Sequence, residues 1–116
     1  MRKHILITND FPPKVGGIQS YLWELWRRLP AENFHVYTTP FPGDIEFDSE
    51  QPFRTVRSAN KVLLPTPSIS RNAQKLRKDI GAELIVWDPA FPLGAVAPSS
   101  RVPYALVLHG AELAIP

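Results

Sequence analysis

The chain has 116 residues, of which 44% are apolar, with a formal net charge of +2 and no cysteine. This length suits a single domain, and the lack of cysteine excludes a disulfide framework, a thiolate metal site and a cysteine nucleophile. No apolar run approaches the length of a membrane span, and the N-terminus lacks the long apolar region of a signal peptide, so we expect a cytoplasmic protein.

The chain opens with a predicted strand followed by a predicted helix. Residues 3–8 are expected to form a strand buried on both faces, because its apolar run hardly alternates with polar residues. Helical spacing begins after a loop, and Pro30 is expected to end that helix. Its apolar stripe consists of Ile18, Tyr21, Leu22, Leu25, Trp26 and Leu29.

The middle of the chain is predicted to contain two strands, at residues 35–39 and 53–57. A long loop opens at Pro40, continues through an acidic stretch at residues 44–50 and separates the two strands. Residues 63–68 must be extended, since a residue before proline avoids the helical region.

The second half is predicted to hold another helix and two more strands. Ser68 is expected to cap this helix and Gly81 to end it. Its apolar stripe consists of Ile69, Ala73, Leu76 and Ile80. The strands are predicted at residues 83–87 and 104–109, with a short helix or turn at 93–97 between them.

Strands that alternate with helices predict an α/β fold, a Rossmann-like three-layer sandwich with a mostly parallel sheet. Ligands of such sheets bind beyond the carboxyl ends of the strands. Three loops therefore merit attention, at residues 9–17, 88–93 and 109–112.

The pair Gly16-Gly17 lies where the first strand hands over to a helix N-terminus. Free N–H groups and the helix dipole favour an anion there, and the absence of side chains lets a phosphate approach the backbone. The alternative is a tight turn that needs a positive φ. The spacing fits neither a dinucleotide fingerprint nor a Walker A loop.

"HGAE", at residues 109–112, follows the last predicted strand on the same sheet edge. His109 ends that strand, and Glu112 adds a carboxylate. A histidine at a strand end is often only a satisfied polar residue, which is the alternative interpretation. One imidazole does not make a structural zinc site, so no metal is expected.

Charge is distributed unevenly. Every charged residue from 54 to 78 is basic, which predicts a solvated face or, alternatively, a patch for an anionic membrane surface. The patch candidates on the second helix are Arg71, Lys75, Arg77 and Lys78.

"NDFPPKVGGIQSYLWEL" followed by "HGAE" resembles the N-terminal domain of the family 4 retaining glycosyltransferases, which have the two-domain GT-B fold. The opening motif and "LPTP", at residues 64–67, are most similar to phosphatidylinositol-mannoside mannosyltransferases. Ala111 departs from these relatives, which carry a second histidine there.

The resemblance implies roles for individual residues. Gly16 and Gly17 match the glycine-rich loop that contacts the donor phosphate, and His109 matches the active-site histidine against the transferred sugar. Glu112 matches an acidic position whose role the resemblance leaves undefined. The acceptor pocket would be bordered by Asn9, Asp10, Thr66 and Pro67.

The implied function is transfer of a sugar, most simply mannose, from a nucleotide sugar such as GDP-mannose to an anionic glycolipid such as a phosphatidylinositol mannoside. The nucleotide sugar is a substrate, so no cofactor is expected, and no nucleic acid. The protein would act at the inner face of the cell membrane as a peripheral enzyme with retention of anomeric configuration.

The donor-binding domain of the family has no counterpart in these 116 residues. We therefore expect residues 1–116 to be a partial acceptor-side domain that is inactive alone. Two alternatives remain open: a truncated binding domain without catalysis, and a different phosphate-binding Rossmann-like enzyme.

Overall fold

The computed structural model describes residues 2–88, 93–94 and 103–107 of the chain. Strands and helices alternate along these residues, and a 3₁₀ turn (Ala31–Asn33) precedes the second strand. The strands are β1 (His4–Thr8), β2 (Phe34–Thr38), β3 (Arg54–Arg57), β4 (Leu84–Asp88) and β5 (Tyr104–Leu106). The helices are α1 (Gly17–Trp26), α2 (Asp44–Ser49) and α3 (Pro67–Ile80).

The five strands form one sheet in the order β3-β2-β1-β4-β5, and every pairing between them is parallel. All five residues of β1 are buried, as expected for a central strand with neighbours on both sides. The predicted Rossmann-like α/β class is confirmed.

Apolar side chains cover both faces of the sheet and make two cores. The core under α1 and α2 consists of Leu6, Phe11, Leu22, Trp26, Phe34, Val36, Phe53 and Val86. The core under α3 consists of Ile5, Ile7, Tyr37, Leu63, Ile69, Ala73, Ala82, Ile85, Trp87 and Leu93. The arrangement therefore has three layers. Of the described helices, α3 covers one face of the sheet, and α1 and α2 cover the other.

The prediction of a loop over the acidic stretch was wrong, because most of it forms α2. Gly43 precedes the helix with a positive φ of 88°, and the Asp44 carboxylate accepts a hydrogen bond from the Phe41 N–H at 3.1 Å. Asp44 and Glu46 lie in the first turn, where negative charge suits the helix dipole. Phe47 packs against the core and anchors this short helix.

The helix α3 begins earlier than predicted. Thr66, not Ser68, is its N-cap, and the Thr66 hydroxyl accepts a hydrogen bond from the Ile69 N–H at 3.3 Å. Pro67 occupies the first helical position, which suits a residue without an N–H. Gly81 ends the helix with a φ of 69°, as predicted.

The apolar stripe of α1 is only partly buried, contrary to the prediction. Leu22 and Trp26 are buried, whereas Ile18, Tyr21 and Leu25 are 39%, 54% and 44% exposed.

The strand β5 ends at Leu106, whereas the prediction extended this strand to residue 109. Residues 108 and 109 lie outside the described residues. Of the turn predicted at 93–97, only residues 93–94 are described.

His35, in β2, gives the fold an expected pH dependence. Burial lowers the pKa of His35, and the nearby Arg54 and Lys3 charges lower it further. The unfolded chain then binds a proton more readily than the folded one, so stability should be full above about pH 6.5 and fall as the pH drops below it.

The measurement is the urea midpoint at pH 7.5 and 5.5 for the wild type and His35→Gln. The variant, which has no imidazole at this position, should lose less stability on acidification than the wild type. Equal losses would show that His35 does not cause the pH dependence.

Candidate functional site

The carboxyl edge of the sheet brings together the ends of β1 and β4. From β1 the chain continues to β2 on one side, while from β4 it continues to β5 on the other. A crevice opens at such a reversal of strand order, and ligands of doubly wound sheets bind there. The register pairs Thr8 with Asp88 at this point.

Thr8 and Asp88 form a buried hydrogen-bonded pair in the crevice. The Thr8 hydroxyl donates to Asp88 Oδ2 at 2.7 Å and accepts from the Asp10 N–H at 2.9 Å, and both side chains are fully buried. A buried carboxylate needs such donors to offset its desolvation. The pair therefore fixes the start of the loop that follows β1. The sequence pointed to the loop at residues 88–93 but predicted no role for Asp88 itself, although an acidic residue that ends a buried strand is a signal for one.

The glycine pair lies at the N-terminus of α1. Gly16 is the N-cap, with φ of 164° and ψ of 167°, an extended conformation that any residue adopts. Neither glycine has a φ in the left-handed region that favours glycine, so the tight-turn interpretation is not supported. A Cβ at Gly17 would meet no atom within 4 Å, and one at Gly16 would meet only the flexible Gln19 side chain. No contact or backbone conformation in the described residues requires glycine at position 17.

The N-terminus of α1 also lacks a side-chain partner for its backbone N–H groups. No side chain caps it, and no acidic residue lies in its first turn. The helix dipole and the free N–H groups thus face outward without a neutralising carboxylate from that turn.

Asn9 ties the end of β1 to the segment before α3. Its amide donates to the Leu63 carbonyl at 2.9 Å, and its side-chain oxygen accepts from the Leu63 N–H at 2.7 Å. The Lys14 ammonium donates to the Asn9 carbonyl at 3.0 Å. Asn9 was predicted to border the acceptor pocket, but its side chain instead hydrogen-bonds to the backbone of the loop at Leu63.

Arg57 holds three further segments at the same edge. Its guanidinium donates to the Pro12 carbonyl at 2.9 Å and to the Thr39 carbonyl at 2.9 Å. It also donates to both carboxylate oxygens of Asp48, in α2, at 3.1 and 2.7 Å. The Arg57 and Asp48 side chains are only 11% and 20% exposed. Arg57 therefore does not belong to a solvated basic face.

Two grooves lie among the loops of this edge. One, of about 480 Å³, is lined by Lys14, Pro40, Phe41, Pro42, Asp44 and Lys61. The other, of about 520 Å³, is lined by Ala59, Asn60, Lys61, Val62, Leu64, Thr66, Ser68 and Ile69. Lys61 forms part of both walls.

The remaining candidates are placed as follows. Thr66 lines the second groove while it caps α3, and Pro67 starts that helix. Asp10 accepts a long hydrogen bond of 3.4 Å from Gln19. His109 and Glu112 lie outside the described residues, and so does Gly110 between them.

The basic candidates of α3 divide into two kinds. Arg71, Lys75 and Lys78 are exposed. Arg77 instead donates to the Ala82 carbonyl at 3.2 Å, near the C-terminus of the helix.

Two features, a metal-binding cluster and a membrane-spanning helix, are absent from the described part of the chain. Its histidines and carboxylates form no group of three or more that could hold a metal ion. Within residues 2–88, 93–94 and 103–107, no helix has the length and apolar character needed to cross a bilayer.

Comparison with known proteins gives no match to a family model, but it does give individual relatives. The chain is 36% identical over 108 residues, 88% of its length, to the GDP-mannose-dependent alpha-(1-6)-phosphatidylinositol monomannoside mannosyltransferase of Mycobacterium tuberculosis. It is 33% identical over 84% of its length to the protein of the same name from Mycolicibacterium smegmatis. It is 28% identical over 86% of its length to a GDP-mannose-dependent monoacylated alpha-(1-6)-phosphatidylinositol monomannoside mannosyltransferase of Corynebacterium glutamicum. The chain spans 28%, 26% and 27% of the lengths of these relatives.

Proposed function

Because this chain belongs to the glycosyltransferase family of these mannosyltransferases, we propose that the protein transfers mannose from GDP-mannose to a phosphatidylinositol-based glycolipid. The proposal extends to this chain the donor and the acceptor that its relatives' names state. Within that reaction, the chain supplies the acceptor side of the site and the contact to the donor phosphate.

The observation that carries the proposal is the open glycine pair at the sheet's carboxyl edge. Gly17 has space on its Cβ side, and the uncapped N-terminus of α1 presents N–H groups beside it. Such donors stabilise the negative charge that develops on a departing nucleoside diphosphate. The glycosidic C1–O bond to the diphosphate breaks while the acceptor hydroxyl oxygen bonds to C1 on the same face, and the hydroxyl proton leaves with the phosphate oxygen.

The test is a transfer assay with radiolabelled GDP-mannose and phosphatidylinositol monomannoside, using the full protein that contains this chain. We expect a mannosylated lipid, and NMR of that product should show a retained α-anomeric configuration. UDP-glucose serves as the control donor. If no donor gives a lipid product, the proposed function is wrong. The 116-residue chain alone is proposed to be inactive, since orientation of both substrates needs both sides of the cleft.

His109 remains a prediction, and we propose that it positions the transferred sugar. His109→Ala in the full protein should lower kcat and kcat/KM by the same factor, because the interaction then matters chiefly in the transition state. Melting curves on the same variant supply the control. A variant that melts lower but keeps full activity per folded molecule would assign His109 a structural role.

The protein is proposed to act at the cytoplasmic face of a membrane, where its lipid acceptor would lie. The exposed Arg71, Lys75 and Lys78 of α3 support this, since basic side chains attract anionic lipids.

A further inference from the structure

The groove between Lys14 and Lys61, called here the two-lysine groove, combines three kinds of chemistry. Its walls carry two ammonium groups, one carboxylate from Asp44, and an apolar surface formed by Phe41 between two prolines. Lys61 is exposed, and neither lysine takes part in the ion pairs found among the described residues. The two charges are therefore not neutralised by a carboxylate partner there.

Every wall of the two-lysine groove is fixed by a buried or half-buried polar tie described above. Arg57 holds the Pro12 carbonyl, two residues before Lys14, and the Thr39 carbonyl, next to Pro40. The same guanidinium holds Asp48, and α2 carries both Asp48 and Asp44.

The fourth wall is fixed from the other side of the groove. Asn9 binds both backbone groups of Leu63, two residues after Lys61. Irregular loops are mobile unless they are tied down. Loops that are held at four points form a preorganised site, so ligand binding does not carry the entropic cost of ordering these loops.

The donors and acceptors that remain define what the groove can bind. The Lys14 ammonium uses one of its three N–H groups on the Asn9 carbonyl, so two remain. Asp44 Oδ2 accepts from the Phe41 N–H, so Oδ1 remains to accept from a hydroxyl. Two ammonium groups fit a phosphate, a carboxylate fits hydroxyl groups, and the Phe41 ring, 38% exposed, fits the C–H face of a polyol ring.

We propose that the two-lysine groove binds a ring polyol that carries a phosphate, with the phosphate at Lys14 and Lys61 and the ring against Phe41. This rests on the proposed function, in which the acceptor bears such a group. The second groove, beyond Lys61, begins with the exposed apolar Val62 and Leu64, both 56% exposed. An apolar tail attached to the phosphate could continue in that direction.

Titration calorimetry on the full protein tests the groove without any turnover. The probes are glycerophosphoinositol, inorganic phosphate and myo-inositol. Glycerophosphoinositol should bind about tenfold more tightly than either part alone, since it engages both sides of the groove. Lys61→Ala should weaken it about fivefold, the effect expected for one exposed charge contact. Arg54→Ala, which removes an exposed cation at the start of β3 and outside the groove, is the matched control and should leave its affinity unchanged.

Vesicle binding then separates the sources of the polyol phosphate. Preference for phosphatidylcholine vesicles that contain phosphatidylinositol over vesicles with equal phosphatidylglycerol would assign the groove to a lipid headgroup. Binding of the soluble probe without that preference would assign it to a free polyol phosphate. Equal affinity for phosphate and glycerophosphoinositol, or equal losses in Lys61→Ala and Arg54→Ala, would overturn the proposal. A protein that binds the probe but transfers no sugar would retain the groove and refute the proposed function.

Discussion

Replacing Gly17 with valine should reduce sugar transfer by roughly 100-fold or more, the loss seen when a preorganised donor to a developing oxyanion is removed. The fold should survive, because a Cβ added at Gly17 would meet no atom within 4 Å and the residue has no positive φ. Steric exclusion of the donor phosphate is then the only large effect of the valine.

The matched control is Ser20→Val, which places the same β-branched side chain on the exposed surface of α1 one turn later. Its rate and its melting temperature should both stay near those of the wild type. Circular dichroism melts and steady-state rates are measured for both variants. Wild-type rates in a folded Gly17→Val protein would show that no ligand approaches this backbone.

Replacing Arg57 with methionine should lower the free energy of unfolding more than any other substitution proposed here. The change removes four hydrogen bonds and leaves the mostly buried Asp48 carboxylate without its cation. Loss of one partner from such a pair costs about 3 kcal/mol. Urea unfolding at neutral pH measures the difference in the free energy of unfolding.

Arg54, on the same strand, provides the control for Arg57. Its side chain is exposed, so Arg54→Met should change stability by less than about 0.5 kcal/mol. Equal effects of the two substitutions would mean that the ties of Arg57 add nothing beyond a surface charge.

Local patterns in the sequence predict the element types well where an apolar periodicity is present. The buried run of β1 and the stripe of α3 are of this kind. The helix α2 was missed because it has six residues, and only Phe47 among them packs against the core. The N-cap of α3 was misplaced by two residues, since Thr66 and Ser68 are both good caps. Pro67 decides between them, because proline suits the first helical position.

Only those features of the candidate site that depend on residues adjacent in the sequence could be predicted. The glycine pair and its place at a helix N-terminus follow from adjacent residues. The ties of Asn9 to Leu63, Thr8 to Asp88 and Arg57 to Pro12 join residues that are 54, 80 and 45 positions apart. No periodicity or motif relates such distant positions, so these contacts come from the three-dimensional structure alone.

The way in which Arg57 and Asn9 make their ties has a consequence for how this protein can diversify. Their partners at Pro12, Thr39 and Leu63 are main-chain groups, which every substitution by an ordinary residue preserves. Neighbouring loop residues such as Phe41 and Lys61 are therefore free to change identity while the path of the backbone stays fixed. Substitutions at this edge can therefore change which ligand the loops contact with little loss of stability, whereas substitution of Arg57 or Asn9 would release the loops themselves.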